Sequence, residues 1–254
     1  MARGNDGEWH PRRLTRRVLR QNTYRRRKRK FFSGMSLNSL LILINVVVFI
    51  LLTLFILISG IGLENTDDSF LKFLALNPNL FFQGYIWTLL TSMFIHASFT
   101  HLFVNMISMF FIGSFVEKLI GRKRYLWFYM VAGLIAGLFF VVMAFAGKFV
   151  PGGEVIFGGF DAFAVGASGA LFGLGGLLAV LIPRLKVLVL FIIPMPMWLA
   201  MVVLMFGIWA ISIASGLPIG NTAHFGGLVV GVAYGFYLRK KYSRKVRMLN
   251  RMFR

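Results

Sequence analysis

Residues 223–238 read Ala223-His224-Phe225-Gly226-Gly227-Leu228-Val229-Val230-Gly231-Val232-Ala233-Tyr234-Gly235-Phe236-Tyr237-Leu238, followed by Arg239-Lys240-Lys241. No fixed charge interrupts the stretch, and with its flanks it is long enough to cross a bilayer, which takes about 20 apolar residues. Gly227, Gly231 and Gly235 recur every four residues, so they line one helix face on which a second backbone can approach closely. His224 stands near the start of the stretch, and an ionisable side chain placed in hydrocarbon marks a functional site by default. These residues therefore predict a packed bundle of membrane helices with a polar site near one end.

The whole composition agrees with that reading. Hydrophobic residues make up 58% of the 254, charged residues only 14%, and the mean hydropathy is +0.76, far from a soluble globular chain. The chain is expected to be an integral, multi-pass membrane protein. With no cysteine, disulfides, thiolate metal sites and a cysteine nucleophile are excluded. The net charge of +20 is concentrated in the tails: Arg12, Arg13, Arg16, Arg17, Arg20 and the run Arg25 to Lys30 at one end, Arg239 to Arg254 at the other. Such tails face the cytoplasm by the positive-inside rule, and their expected partners are anionic lipid headgroups rather than nucleic acid. No apolar stretch precedes residue 37, so no cleavable signal peptide is expected. The expected organisation is a basic cytoplasmic arm over 1–36, a membrane domain over 37–240 and a basic cytoplasmic tail over 241–254.

Apolar stretches fall at 37–59, 98–117, 125–147, 168–183, 187–213 and 222–238, the fourth being short. Lys118, Arg122, Lys123 and Arg124 follow the second and Arg184 with Lys186 the fourth, which places those connections inside. The connections bearing Glu64, Asp67 and Asp68, then Lys148, Glu154 and Asp161, then Ser215 to Asn221, fall outside. The aromatic segment Phe70 to Phe94 is expected to lie partly in the membrane interface. An all-α fold of six membrane helices with both termini cytoplasmic accounts for all of this.

In that topology spans two, four and six run in the same direction, and their basic ends serve as depth markers. His101 to Lys118 is 17 residues, Ser168 to Arg184 is 16, and His224 to Arg239 is 15. At about 1.5 Å per residue the three polar groups lie roughly 22 to 26 Å above the inner boundary of a core about 30 Å thick. Asn105 follows His101 by one turn on the same face.

A serine hydroxyl is a poor nucleophile until a base takes its proton. His224, titrating ordinarily near pH 6.5, can serve as that base at physiological pH. Glu117, the only acidic residue at a helix end, lies near the opposite face, so the site reads as a Ser168–His224 dyad rather than a triad. The Ser168 backbone N–H at a helix start, with the His101 and Asn105 side chains, can stabilise an oxyanion, each donor contributing about 3 to 4 kcal/mol in the transition state. Gly166 and Gly169 allow unusual backbone beside the serine, and Gly169 with Gly173 offers a small-residue face to Gly227 and Gly231.

Taken singly, each of these motifs also fits plain helix packing, and the joint occurrence at one depth is what points to chemistry. The Gly-x-Ser-Gly pattern is not an α/β-hydrolase elbow, because Ala170 stands where that turn needs glycine. A zinc protease would need a His-Glu-x-x-His helix, which is absent. No cofactor-binding or metal-binding motif is present. A transporter would be expected to carry paired carboxylates within its spans, which this chain lacks.

Three motifs, His96-Ala-Ser-Phe-Thr-His101-Leu-Phe-Val-Asn105, Gly166-Ala-Ser168-Gly169 and Ala223-His224-Phe-Gly-Gly227-Leu-Val-Val-Gly231, resemble the signatures of rhomboid intramembrane serine proteases. The resemblance covers about residues 38 to 240. It implies a six-helix rhomboid-like bundle that hydrolyses peptide bonds in or near transmembrane segments of other membrane proteins. It further implies Ser168 as nucleophile, His224 as general base, His101 and Asn105 at the oxyanion hole, and a supporting role for His96. Substrate access is implied to be lateral, with movement of the fifth helix, 187–213, and of the loop preceding Ala223. The chain departs from the family where Trp87-Thr88 replaces a common Trp-Arg pair, and where Phe172 replaces the commoner Tyr one turn after the serine. A catalytically silent rhomboid-like chaperone or adaptor is the alternative reading, and a prokaryotic cell membrane is the expected location.

Overall fold

The computed structural model describes residues 2–3, 9–10, 34–59, 69–189, 192–216 and 220–253. Within residues 1–36, Ala2–Arg3 and Trp9–His10 form a two-residue antiparallel pair; residues 1, 4–8 and 11–33 of the predicted basic arm lie outside the described residues. Residues 37–254 form a separate compact unit.

That unit is helical. Four helices are long and apolar enough to cross a membrane: α1 (Leu37–Ser59), α2 (Phe99–Ile120), α3 (Arg122–Gly147) and, further on, Met197–Ser215. Between α3 and that last helix lies the shorter apolar helix α4 (Ser168–Leu181). With Met197–Ser215 as α5, the 21-residue helix Asn221–Lys241 is α6 and the basic helix Ser243–Met252 is α7. The protein is thus an all-α integral membrane bundle.

Two start and stop signals are visible in the sequence. Ser98 caps α2, its Oγ accepting the His101 N–H at 3.1 Å. Gly121, at φ 86°, separates α2 from α3, a left-handed turn that glycine adopts without a Cβ penalty. Inside α2 the turn Met109–Gly113 widens to π-helical geometry. There the Met109 carbonyl accepts from Asn38 Nδ2 at 2.9 Å. Asn38 Nδ2 also reaches Ser114 Oγ, and Asn38 Oδ1 accepts from the Tyr125 hydroxyl at 2.5 Å. Glu117 closes this cluster by accepting the first N–H groups of α1, Leu37 at 3.0 Å and Asn38 at 2.9 Å. A carboxylate at that end of a helix satisfies orphan donors and complements the dipole.

Helix α4 is the centre of the bundle, with nearly every side chain from Gly169 to Leu181 buried. Its contact with α6 is backbone on backbone. A Cβ on Gly227 would strike the Gly169 carbonyl oxygen, and one on Gly231 the Gly173 carbonyl oxygen. On its other side, a Cβ on Gly173 would lie 2.8 Å from Ala132 Cβ of α3. Only glycine permits these approaches.

The fifth apolar stretch begins differently from the expectation of a helix from residue 187. Lys186–Val189 and Ile193–Pro196 form an antiparallel hairpin, Leu188 facing Pro194, and the helix starts at Met197. Pro194 and Pro196 lack the N–H that a helix interior needs and bias the residue before each toward extended backbone. An apolar run of Val, Leu and Ile has no periodicity that separates strand from helix. The buried residues of α5 are Met197, Ala200, Met201, Met205 and Ser212, so its second half holds to the bundle by few of them.

Candidate active site

Ser168 is the first residue of α4, and the ten residues before it lack regular structure while remaining tied to the fold. Leu76 and Ala164 exchange two backbone hydrogen bonds, 3.1 and 2.8 Å, and the Gly166 N–H donates to the Ser92 carbonyl at 2.9 Å. Asn77 Nδ2 donates to the Asp161 carbonyl at 2.8 Å. These bonds satisfy backbone groups that hydrocarbon could not. Gly166 sits at φ 115°, and a Cβ there would lie 2.8 Å from His101 Cε1. Glycine is therefore required twice at this position, for its dihedral and for the ring packed against it.

His224, in the first turn of α6, places Nε2 2.7 Å from Ser168 Oγ. In the tautomer protonated at Nδ1 the hydroxyl donates to Nε2, the geometry a general base needs. His224 is 8% exposed, and its Nδ1 is buried with no hydrogen-bond partner among the described residues. Phe172 stacks on the imidazole with ring centroids 4.5 Å apart and planes 15° from parallel.

His101 is half-buried, its ring close to Gly166 and edge-on to His96 at 5.1 Å between centroids. His96 lies in the turn before α2 and is buried, which holds its pKa down to about 4, the nearby His101 adding to the effect of desolvation. Asn105 is buried one turn below His101. Its Nδ2 donates to the His101 carbonyl at 2.8 Å, which leaves a second N–H on the same nitrogen. The structure thus gathers His96, His101, Gly166, Ser168, Phe172 and His224 at one end of the bundle, with Gly169 and Gly227 bringing α4 against α6. Glu117 lies far along α2 and belongs to the α1 cap.

Two contacts near this end carry no signal in the sequence, because each uses a backbone carbonyl. Ser92 pins Gly166, as above. Trp209 of α5 donates from Nε1 to the Ile156 carbonyl at 3.2 Å, tying the exposed half of α5 to the short helix Gly153–Phe157 that follows α3. The Trp87 indole likewise donates to the Phe73 carbonyl at 2.8 Å, so the aromatic segment is anchored without an arginine after the tryptophan.

Fold and site together define a multi-pass helical membrane protein with a serine and a histidine facing each other inside the bundle. Residues 83–241 match the family profile described as Rhomboid domain. The chain is 30% identical over 217 residues to Rhomboid protease GluP of Bacillus subtilis, covering 84% of this chain and 37% of that one. It is 36% identical over 156 residues to RHOMBOID-like protein 2 of Arabidopsis thaliana, covering 60% and 42%. With Rhomboid protein 1, mitochondrial, of Saccharomyces cerevisiae, it shares 29% over 172 residues, covering 62% and 43%. The chain belongs to the rhomboid family. It spans less than half the length of these relatives.

Proposed function

We propose that this protein is an intramembrane serine endopeptidase acting on transmembrane segments of other membrane proteins. The observation that carries the reading is the 2.7 Å approach of His224 Nε2 to Ser168 Oγ within a rhomboid bundle. Ser168 Oγ attacks the scissile carbonyl carbon while Nε2 takes its proton. The Ser168 N–H, His101 and the second Asn105 N–H stabilise the oxyanion, and His224 returns the proton to the leaving amine. Water, activated by the same imidazole, then hydrolyses the acyl-enzyme and regenerates Ser168. His96 supports the His101 ring, which it meets edge-on.

The six apolar helices cross the membrane with both basic tails in the cytoplasm of a prokaryotic cell, which sets the dyad toward the opposite face. Residues 1–36 and 241–254 act as basic arms on anionic headgroups, and 37–240 form the membrane domain. Substrate helices reach the dyad laterally past α5, whose second half has Ser212 as its one buried residue. A substrate must unwind locally, because helical carbonyls are shielded by their own hydrogen bonds.

Labelling of the detergent-purified protein with a serine-directed fluorophosphonate tests the reading without a known substrate. Wild type is expected to label, and Ser168→Ala and His224→Ala are expected not to. A folded wild type that stays unlabelled would overturn the protease reading in favour of a silent rhomboid-like chaperone or adaptor.

A further inference from the structure

At the end of the bundle opposite Ser168, a pocket of about 570 Å³ opens between the last turns of α6 and the helix α7. Arg239, Lys240, Arg247 and Arg251 line it together with Ser243 and Phe236. Residues 221–254 contain no Asp or Glu. Among the described residues, Glu117 is the carboxylate at this end, and it is taken up by the α1 cap and Arg122. Among the described residues, four cations therefore converge on one concavity whose lining holds no carboxylate.

The position of α7 is built. Asn250 Nδ2 donates to the Leu181 carbonyl at the end of α4 at 2.7 Å, Val246 is buried, and the Phe253 ring meets Phe115 edge-on at 6.2 Å. Tyr242, the hinge between the two helices, is held by Arg124 of α3 at 3.2 Å. Arg247 and Arg251, one turn apart, are thereby presented beside Arg239 and Lys240.

The pocket is also polar at one end only. Phe236 is 57% exposed, and Val229, Ala233, Phe236 and Lys240 follow at intervals of four, three and four along one face of α6. An exposed apolar strip along a membrane helix thus ends in a cluster of guanidinium and ammonium groups. Arginines hold phosphate oxygens bidentately, and basic pockets at the cytoplasmic ends of membrane helices take lipid headgroups. We propose that this pocket is a binding site for an anionic phospholipid, its phosphate held by Arg239, Lys240, Arg247 and Arg251 and one acyl chain lying along Phe236, Ala233 and Val229. This gives the basic tail a defined lipid site rather than diffuse attraction to headgroups, and it requires no catalysis.

Native mass spectrometry of the full chain in zwitterionic detergent, with phosphatidylglycerol, phosphatidylcholine or inorganic phosphate added, tests the site. Wild type is expected to retain phosphatidylglycerol in preference to phosphatidylcholine. Arg247→Gln with Arg251→Gln is expected to weaken that binding roughly ten- to thirty-fold, while Lys123→Gln with Arg184→Gln, basic positions outside the pocket, leaves it unchanged. Equal loss in the two double variants would overturn the site in favour of a diffuse basic surface. Displacement of the lipid by millimolar inorganic phosphate would overturn it in favour of a free-phosphate site. Should the arginine variant lose its helical signal, a phospholipid with a photoreactive acyl chain decides on wild type: crosslinks within 229–236 support the site, and crosslinks only elsewhere reject it.

Discussion

The Phe172 ring lies flat against the His224 imidazole, 4.5 Å between centroids and 15° from parallel, one helical turn below the serine that His224 contacts. The plane of the imidazole, and with it the direction of Nε2, is thereby set by a neighbour on α4 rather than by a carboxylate behind Nδ1. Such a pair contributes about 0.5 to 1.5 kcal/mol beyond burial. Phe172→Leu is expected to slow fluorophosphonate labelling of Ser168 by roughly three- to ten-fold, and Phe172→Tyr to preserve it. Equal labelling of Leu and Phe variants would show that the ring does not orient the base.

The backbone contact between α4 and α6 predicts an asymmetric response of the glycines. Gly231→Ala drives a methyl into the Gly173 carbonyl oxygen, whereas a Cβ on Gly207 of α5 meets nothing within 4 Å. The first change is expected to destabilise by about 1 to 3 kcal/mol or more, seen as a lower unfolding midpoint in detergent together with lost labelling. Gly207→Ala, at the same helical propensity gain, should leave both intact.

Glu117 is expected to matter for stability and not for chemistry. Glu117→Ala removes the acceptor of two α1 N–H groups, and hydrogen bonds to charged groups contribute about 1.5 to 3 kcal/mol each. The unfolding midpoint should fall, while the labelling rate of the protein that remains folded stays at the wild-type value. A selective loss of labelling would place Glu117 in the catalytic machinery instead.

Trp209→Phe keeps an aromatic ring on α5 but removes the donor to the Ile156 carbonyl. One neutral hydrogen bond corresponds to about 1 kcal/mol, or roughly five-fold in an opening equilibrium. Cleavage of a transmembrane substrate in vesicles should rise by up to that factor, and labelling by the small fluorophosphonate, which needs no parting of helices, should not change. A rise in both would locate the effect at the dyad.

The depressed pKa of His96, about 4 against an ordinary 6.5, fixes a pH dependence. The unfolded chain binds the proton at a higher pH than the fold does, so stability is full above pH 6.5 and is lost as pH falls from there toward 4. The loss approaches about 3 kcal/mol. His96→Gln should flatten the decline of the unfolding midpoint over this window relative to wild type, with His101 and His224 common to both proteins. An unchanged slope would show that His96 is not buried as a neutral ring.

Much of this molecule is legible in the sequence because a bilayer permits few solutions. The long apolar runs at 37–59 and 98–117, the glycine spacing of 227, 231 and 235, and the three rhomboid motifs point to the same all-α bundle and the same family. Counting residues to the basic markers puts Ser168 and His224 at one depth, which is a one-dimensional statement; the 2.7 Å between them depends on Gly169 and Gly173 meeting Gly227 and Gly231 backbone to backbone. The hairpin Lys186–Pro196 is hidden because every residue after Lys186 is apolar, and only Pro194 and Pro196 speak against a helix. Trp209 and Ser92 were beyond reach for another reason. Each bond ends on a backbone carbonyl oxygen, that of Ile156 for Trp209 and its own for Ser92, and every residue possesses one.

Helix α4 has 14 residues, about 21 Å, against a hydrocarbon core of about 30 Å. Its shortfall of roughly 9 Å makes it a ruler. With its foot fixed at Leu181, where α7 is fastened, its top would set, under the proposed protease reading, the height at which a substrate chain is met, whatever that chain's side chains are. Selection by height compares overhangs rather than sequences. Moving the same protein into a thicker or thinner bilayer would then shift the cut along one substrate by whole residues without altering a single contact at the dyad.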